Sequence, residues 1–292
     1  MIRDYFKMFR PFTLVAVILG SLAGGIIAMK DMHNFSLHNW ILLFVIIFIM
    51  SISNASGNVI NEIFDQDIDK ISKPYRSLVS GKVKWEYANS MAVMLFGLAI
   101  VLSFIINILF GIIVAIIEFF AWNYSAPPLR FKKRLFWGSL SIATPRGALG
   151  LFSVYVGLGA RWDSWTIAIA SFAFAIYVFA GNWVKDFPDY DADKNNGIRN
   201  FVTVWGIRKS AIISIPFYYV PFITITAGAL LHFIPITELY VNILLILSAI
   251  QTYYLVKDPL KKWKGENGIT WMIFYVQMGL ILLMYAIIYV IS

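Results

Sequence analysis

The chain has 292 residues, 60% of them hydrophobic and 14% charged, with a formal net charge of +8 and no cysteine. Soluble domains carry roughly a quarter charged residues, so this composition excludes a soluble globular fold, and the missing cysteine excludes disulfides, thiolate metal sites and a cysteine nucleophile. The positive balance does not mark a nucleic-acid surface, because 21 of the 24 Lys and Arg fall on one side of the predicted topology.

The opening Met1-Ile-Arg-Asp-Tyr-Phe-Lys is too polar to begin a cleaved signal peptide. Nine apolar stretches follow, each near the roughly 20 residues that cross a bilayer as a helix. They cover about 12–29, 40–60, 87–106, 108–123, 137–159, 165–185, 211–231, 239–256 and 270–291. None alternates in polarity as a strand of a membrane barrel does. The expected fold is all-α, a polytopic membrane protein of nine transmembrane helices in a single domain. Arg3, Lys7 and Arg10 precede the first span, and most other basic residues follow the even-numbered spans. By the positive-inside rule the amino terminus and those loops are cytoplasmic, and an odd span count leaves the carboxyl terminus outside the cell membrane.

The second and sixth spans each run into an acidic segment. The first holds Asn61, Glu62, Asp65, Asp67 and Asp69, followed by Lys70, Lys73 and Arg76. The second holds Asp186, Asp189, Asp191 and Asp193, followed by Lys194 and Arg199. A shift of 124 positions overlays Gly57-Asn58 on Gly181-Asn182, three aspartates on three, and Lys70 on Lys194. That offset covers four spans, so residues 10–130 and 135–256 read as two copies of one unit, with the span at 270–291 appended. Eight of the 16 acidic residues lie in 62–69 and 186–193.

An isolated acid at a helix end only solvates a membrane boundary. Like charges at i and i+4, however, repel unless a cation neutralises them. Asn54, Asn58, Asn61, Asp65 and Asp69 are spaced to share one face of a continuous helix, whereas Pro188 breaks the second segment. Oxygen donors without Cys or His favour a hard cation, and Mg²⁺ typically pairs one or two carboxylates with substrate phosphates. Arg76 and Arg199 trail their acidic segments at similar distances and suit bidentate phosphate contact. Together the two segments predict divalent metal held against a diphosphate.

Two further features carry chemistry or none. The loop Tyr124-Ser-Ala-Pro127-Pro128-Leu-Arg130-Phe-Lys132-Lys133-Arg134 is a rigid basic turn, equally a bland hairpin or a substrate contact on its composition. Glu118 and Arg146 fall inside spans, where an ionisable side chain faces a cavity or a partner.

These residues resemble a known family. Asn61-Glu-Ile-Phe-Asp65-Gln-Asp-Ile-Asp69, with Lys73-Pro74-Tyr-Arg76, is similar to the first signature of the UbiA superfamily of intramembrane prenyltransferases, and Asp189-Tyr-Asp-Ala-Asp193 to its second. The Tyr124-Ser125 to Arg130 loop is similar to the family's stretch between spans four and five. The resemblance implies Mg²⁺ held by Asn61, Asp65, Asp69, Asp186, Asp189 and Asp193, with Asp67 and Asp191 assisting. It implies Asp65, Asp69, Asp189 and Asp193 as the catalytic acids. Asn61, Arg76, Tyr124, Lys132, Lys194 and Arg199 would bind the diphosphate of a prenyl donor, and Arg130 or Arg146 the acceptor. Gly57-Asn58-Val-Ile-Asn61 and Lys185-Asp186-Phe-Pro188-Asp189 most resemble the archaeal ether-lipid branch, whose members transfer geranylgeranyl to the hydroxyl of geranylgeranylglyceryl phosphate. The alternative within the same chemistry is an aromatic acceptor, a hydroxybenzoate, a naphthoate or haem. A cation-coupled transporter fits less well, because its acids sit near the bilayer midplane.

Overall fold

A computed structural model describes residues 2–264 and 267–292. Its elements run α1 (Ile2–Met8), α2 (Pro11–Asp31), α3 (Leu37–Phe64), α4 (Gln66–Ser72), α5 (Trp85–Ile106) and α6 (Ile108–Ser125), then α7 (Leu135–Ala143) and α8 (Gly150–Gly157). They continue with α9 (Trp165–Gly181), α10 (Tyr190–Asn195), α11 (Phe201–Trp205), α12 (Ile207–Ser214), α13 (Val220–Leu230), α14 (Leu245–Lys257) and α15 (Ile269–Ile291). A two-stranded antiparallel pair, Lys262–Lys264 with Asn267–Gly268, is the one strand pairing among the described residues.

Among the described residues, eight helical segments are long and apolar enough to cross a membrane. The fifth expected span, 137–159, differs from the other eight. It is helical from Leu135 to Gly157 but passes through a π segment at Thr144–Leu149 between α7 and α8. Pro145 supplies the cause, since it lacks an N–H and its ring crowds the preceding turn. Gly147 then lets this segment press on α9, because a Cβ there would stand 2.6 Å from Ala175 Cα. The large exposed side chains, among them Leu37, Ile41, Phe44, Val101, Ile105 and Ile108, form the apolar outer face that a bilayer requires.

Three polar fastenings position the site. Along the α3–α6 seam, Ser56 donates to Glu118 Oε2 at 2.8 Å, Asn61 donates to Ser125 at 2.9 Å, and Gly57 lies against Ala121 between them. Against α2, Asn58 donates to Phe9 O and Thr13 Oγ1, and Asn54 to Thr13 Oγ1. At the end of α9, Tyr218 donates to Gly181 O at 3.1 Å while the Phe274 ring fills the space beside Gly181. Glu118 is fully buried, and Ser56 has a second acceptor in Ser53 O at 2.9 Å, so Glu118→Leu removes the bond between the two helices and is expected to cost about 0.5–1.5 kcal/mol. Glu118→Gln keeps an acceptor oxygen. Thermal unfolding in detergent should therefore show a lower midpoint for the leucine variant and a near-native one for the glutamine variant.

Candidate active site

The first acidic segment does not continue one helix. Helix α3 ends at Phe64, Asp65 takes a non-helical conformation (φ −105°, ψ 9°), and α4 restarts at Gln66. Asn54 and Asn58 consequently serve packing against α2, and the shared face proposed for 54–69 stops at Asp65. The physical cause is tertiary. Asp65 is buried against the ammonium group of Lys132 from the 126–134 loop, and Arg130 of the same loop donates to Phe64 O at 3.0 Å, capping the end of α3. In the second segment α9 tightens into a 3₁₀ turn at Asn182–Asp186, and α10 begins only after Pro188.

These breaks turn the two segments toward each other. Ile68 on α4 packs with Ala192 on α10 and Ile198 in a small apolar cluster. Lys73, from the first segment, pairs with Asp189 of the second at 2.6 Å, and its charge also reaches Asp69. Lys132 pairs with Asp65 and lies within the field of Asp193. Two lysines thus each stand between a carboxylate of one segment and a carboxylate of the other. Arg76 pairs with Asp69. Asn200 joins Asp193, at 3.0 Å, to Asp186, at 3.4 Å. Asp186 also lies 3.4 Å from Lys185, whose ammonium donates to the Tyr124 hydroxyl at 3.2 Å. Arg10 closes the inner edge by donating to Asn61 Oδ1 at 2.7 Å.

The electrostatics are those of an enclosed polyelectrolyte. Burial holds the Asp69 carboxyl above its ordinary value against the opposing pull of Arg76. Burial, then the charges of Asp186 and Asp189, push Asp193 up to about 7. Arg10 is pulled down to about 10 by burial and by the neighbouring charge of Arg76. Carboxylates and cations are interleaved, so the site offers both oxygen ligands and phosphate donors. Among the described residues no three Asp, Glu or His side chains converge on one point. The donors nevertheless fit a hard cation that takes one or two carboxylates and completes its shell with phosphate and water.

The remaining candidates sit elsewhere. Asp67 is exposed and pairs with Lys70, and Asp191 is exposed. Lys194 reaches the Tyr190 hydroxyl at 3.3 Å, and Arg199 is exposed outside the interleaved set. Arg130 is committed to α3, as above. Glu62 is buried and accepts from Leu78 N at 3.0 Å, so it folds the 73–83 loop over the site. Trp183 and Tyr177 are buried in aromatic clusters, with ring centroids 4.4 Å from Phe201 and 5.0 Å from Phe274 respectively. Sequence reasoning missed Arg10, Lys73, Lys185 and Asn200 as members. Arg10 and Lys73 were indistinguishable from topology-setting cations, while Lys185 could have been found from its place opposite Asn61 in the 124-residue overlay.

The sequence pattern of the UbiA prenyltransferase family matches residues 17–265. Digeranylgeranylglyceryl phosphate synthase of Saccharolobus solfataricus is 30% identical over 216 residues, covering 72% of this chain and 71% of that protein. A solved structure reported for digeranylgeranylglyceryl phosphate synthase in membranes covers 100% of this chain and 99% of its own, at 25% identity and a TM-score of 0.67. A UbiA homologue from Archaeoglobus fulgidus, solved bound to GPP and Mg²⁺, shares the fold at a TM-score of 0.76 and 18% identity, covering 99% of this chain and 100% of its own. With its match across most of the sequence, its membrane-spanning helices and its paired acidic segments, this chain belongs to the UbiA prenyltransferase family.

Proposed function

We propose that the protein transfers a geranylgeranyl group from geranylgeranyl diphosphate to the free hydroxyl of geranylgeranylglyceryl phosphate, giving the diether phosphate of archaeal membrane lipids. The observation that carries the donor half is the facing of the two acidic segments across Lys73 and Lys132. The relatives named digeranylgeranylglyceryl phosphate synthase support the acceptor half.

In this reading Asp65, Asp69, Asp186, Asp189 and Asp193, with Asn61, hold Mg²⁺. When bound, the metal supplies the positive charge that offsets the diphosphate and makes it a better leaving group. Lys73, Arg76 and Lys132 donate N–H groups to phosphate oxygens, stabilising charge that grows as the C1–O bond breaks. Tyr124 steers Lys185, and Asn200 keeps Asp186 and Asp193 at the spacing of one amide. Lys194 and Arg199 extend the phosphate-binding surface at its outer rim. The bond between C1 and the diphosphate breaks with its electron pair on the leaving oxygen, the acceptor oxygen bonds to C1, and the hydroxyl releases its proton. No protein nucleophile is needed. The cationic, carboxylate-rich face is cytoplasmic, with the amino terminus on the same side.

The test is turnover of purified protein with labelled geranylgeranyl diphosphate, Mg²⁺ and an acceptor panel. Prenylation of geranylgeranylglyceryl phosphate, with none of 4-hydroxybenzoate or dihydroxynaphthoate, is expected. Turnover with an aromatic acid alone would replace this reading with the aromatic one.

A further inference from the structure

The cations outside the clamp do not all sit alike. Arg146 is exposed on the π segment at Thr144–Leu149. Arg208 and Lys209 stand at the start of α12, where the chain enters the span Ile207–Leu230, and both are exposed. Among the described residues neither of these two makes an ion pair or a hydrogen bond through its side chain. No acidic residue occurs between Asp193 and Glu238, so the local sequence offers them no carboxylate. Cations beside a span set its topology wherever they face water, and on a flat surface these would do nothing more.

The surface is not flat. Trp205, Arg208, Lys209, Ile212 and Ile213 line a groove of about 610 Å³. Gly206 takes φ 82°, a conformation that other residues rarely adopt, and so makes the sharp corner between α11 and α12. Arg208 and Ile212 are four residues apart along α12, as are Lys209 and Ile213, so each cation stands over an isoleucine on the same helix face. The groove therefore has a charged end at the mouth of the span and an apolar end about 6 Å deeper. Ile212 is exposed although it lies inside a span. Trp205, at the rim, is the residue type that settles at the level of lipid head groups.

Two unpaired positive charges above an apolar strip complement an amphiphile with an anionic head. A free anion would leave the isoleucine end unused, and an uncharged lipid would leave both cations unpaired. We propose that this groove docks a bilayer lipid with an anionic head group, its phosphate against Arg208 and Lys209 and one chain against Ile212. The guanidinium can hold two phosphate oxygens at once, and the ammonium can take a third as a point charge.

The dock is tied to the acidic segments through α11. The Trp205 ring packs on Phe201 at 4.8 Å and on Trp183 at 5.8 Å between centroids. Ser210 donates to Phe201 O at 3.0 Å, which joins α12 to α11. Asn200 caps α11 by accepting from Thr203 N, and its amide donates to Asp193 and Asp186. A lipid seated against Trp205 and α12 braces the element that carries Asn200 while leaving the clamp itself free.

The experiment strips the full chain of lipid in detergent and titrates it with phosphatidylglycerol or with phosphatidylcholine of the same acyl chains. Native mass spectrometry counts the lipids retained. The wild type should retain one phosphatidylglycerol at a concentration at least about tenfold below that needed for phosphatidylcholine, the scale set by two cations at a membrane surface. Arg208→Gln combined with Lys209→Gln should bring the two lipids within about twofold of each other. Lys82→Gln combined with Lys84→Gln removes the same charge from exposed positions outside the groove and should keep the full preference. Millimolar glycerol phosphate, a head group without chains, should not displace the lipid. A wild type that holds both lipids equally, or a preference that survives loss of Arg208 and Lys209, overturns the dock. So does displacement by glycerol phosphate, which would mark a site for a free anion. A preference lost equally without Lys82 and Lys84 would assign it to general surface charge and overturn the dock as well.

Discussion

Asp65→Asn and Asp189→Asn are each expected to reduce prenyl transfer by about 10²–10³-fold, the scale seen when a preorganised charge-stabilising group is lost. Their effects on stability should differ. Asp65 is buried and paired with Lys132, itself only 6% exposed, so the asparagine strands a buried ammonium group. Breaking such a pair from one side costs about 3–5 kcal/mol. Asp189 pairs with Lys73 where both side chains are about one-fifth exposed, at 23% and 21%, and water can take over the lone lysine. Thermal unfolding should show a marked loss for Asp65→Asn and a small one for Asp189→Asn, with activity near background in both. A double variant, Asp65→Asn with Lys132→Met, should recover stability without recovering turnover. Equal stability losses would contradict the burial difference, and retained turnover in either single variant would remove that aspartate from the clamp.

Removal of divalent metal is expected to stop the reaction altogether, and the affinity for Mg²⁺ should rise between pH 6 and pH 8. The sign follows from Asp193. Burial and the charges of Asp186 and Asp189 hold it protonated up to about pH 7, and a metal ligand must be ionised. Below that pH a proton competes with the metal, so the dissociation constant should fall by about tenfold per pH unit until Asp193 is ionised and then level off. Calorimetry in two buffers of different ionisation enthalpy would count the proton released. Diphosphate oxygens titrate in the same range, and Asp193→Asn separates the two contributions. The asparagine variant should bind Mg²⁺ with geranylgeranyl diphosphate more weakly at pH 8 and release fewer protons at pH 6.5, by roughly three-quarters of one, since Asp193 is pushed up to about 7. The same proton count in the variant would assign the pH dependence to the ligand alone.

The two acidic segments were legible in the sequence because their chemistry is local. Repeated aspartates in an apolar chain have few explanations, and eight spans are sustained runs of hydrophobic residues. What ends a helix was not local. The spacing of Asn61, Asp65 and Asp69 suits an unbroken helix, and the break at Asp65 comes from Lys132 and Arg130, more than sixty residues away in sequence. Pro145 did stand in the sequence as a signal that the fifth span would not be a plain α-helix. Its consequence, a π segment at Thr144–Leu149, depends on how closely Gly147 lets α9 approach. Arg10 and Lys73 carried no distinguishing mark, because cations beside a span are expected for topology alone. Only the folded chain separates the cations that cross from one acidic segment to the other from those that face solvent. Lys194 and Arg199 show the reverse case, with motif positions that suit phosphate and side chains at the outer surface.

The clamp requires that one diphosphate is held jointly by both segments. Binding of geranylgeranyl diphosphate to the purified protein, titrated with and without Mg²⁺ in the wild type, Asp65→Asn and Asp189→Asn, measures this most directly. Tight binding that requires Mg²⁺ and is lost in both variants is the predicted result. Binding that survives chelation, or that depends on one segment and is indifferent to the other, would contradict it.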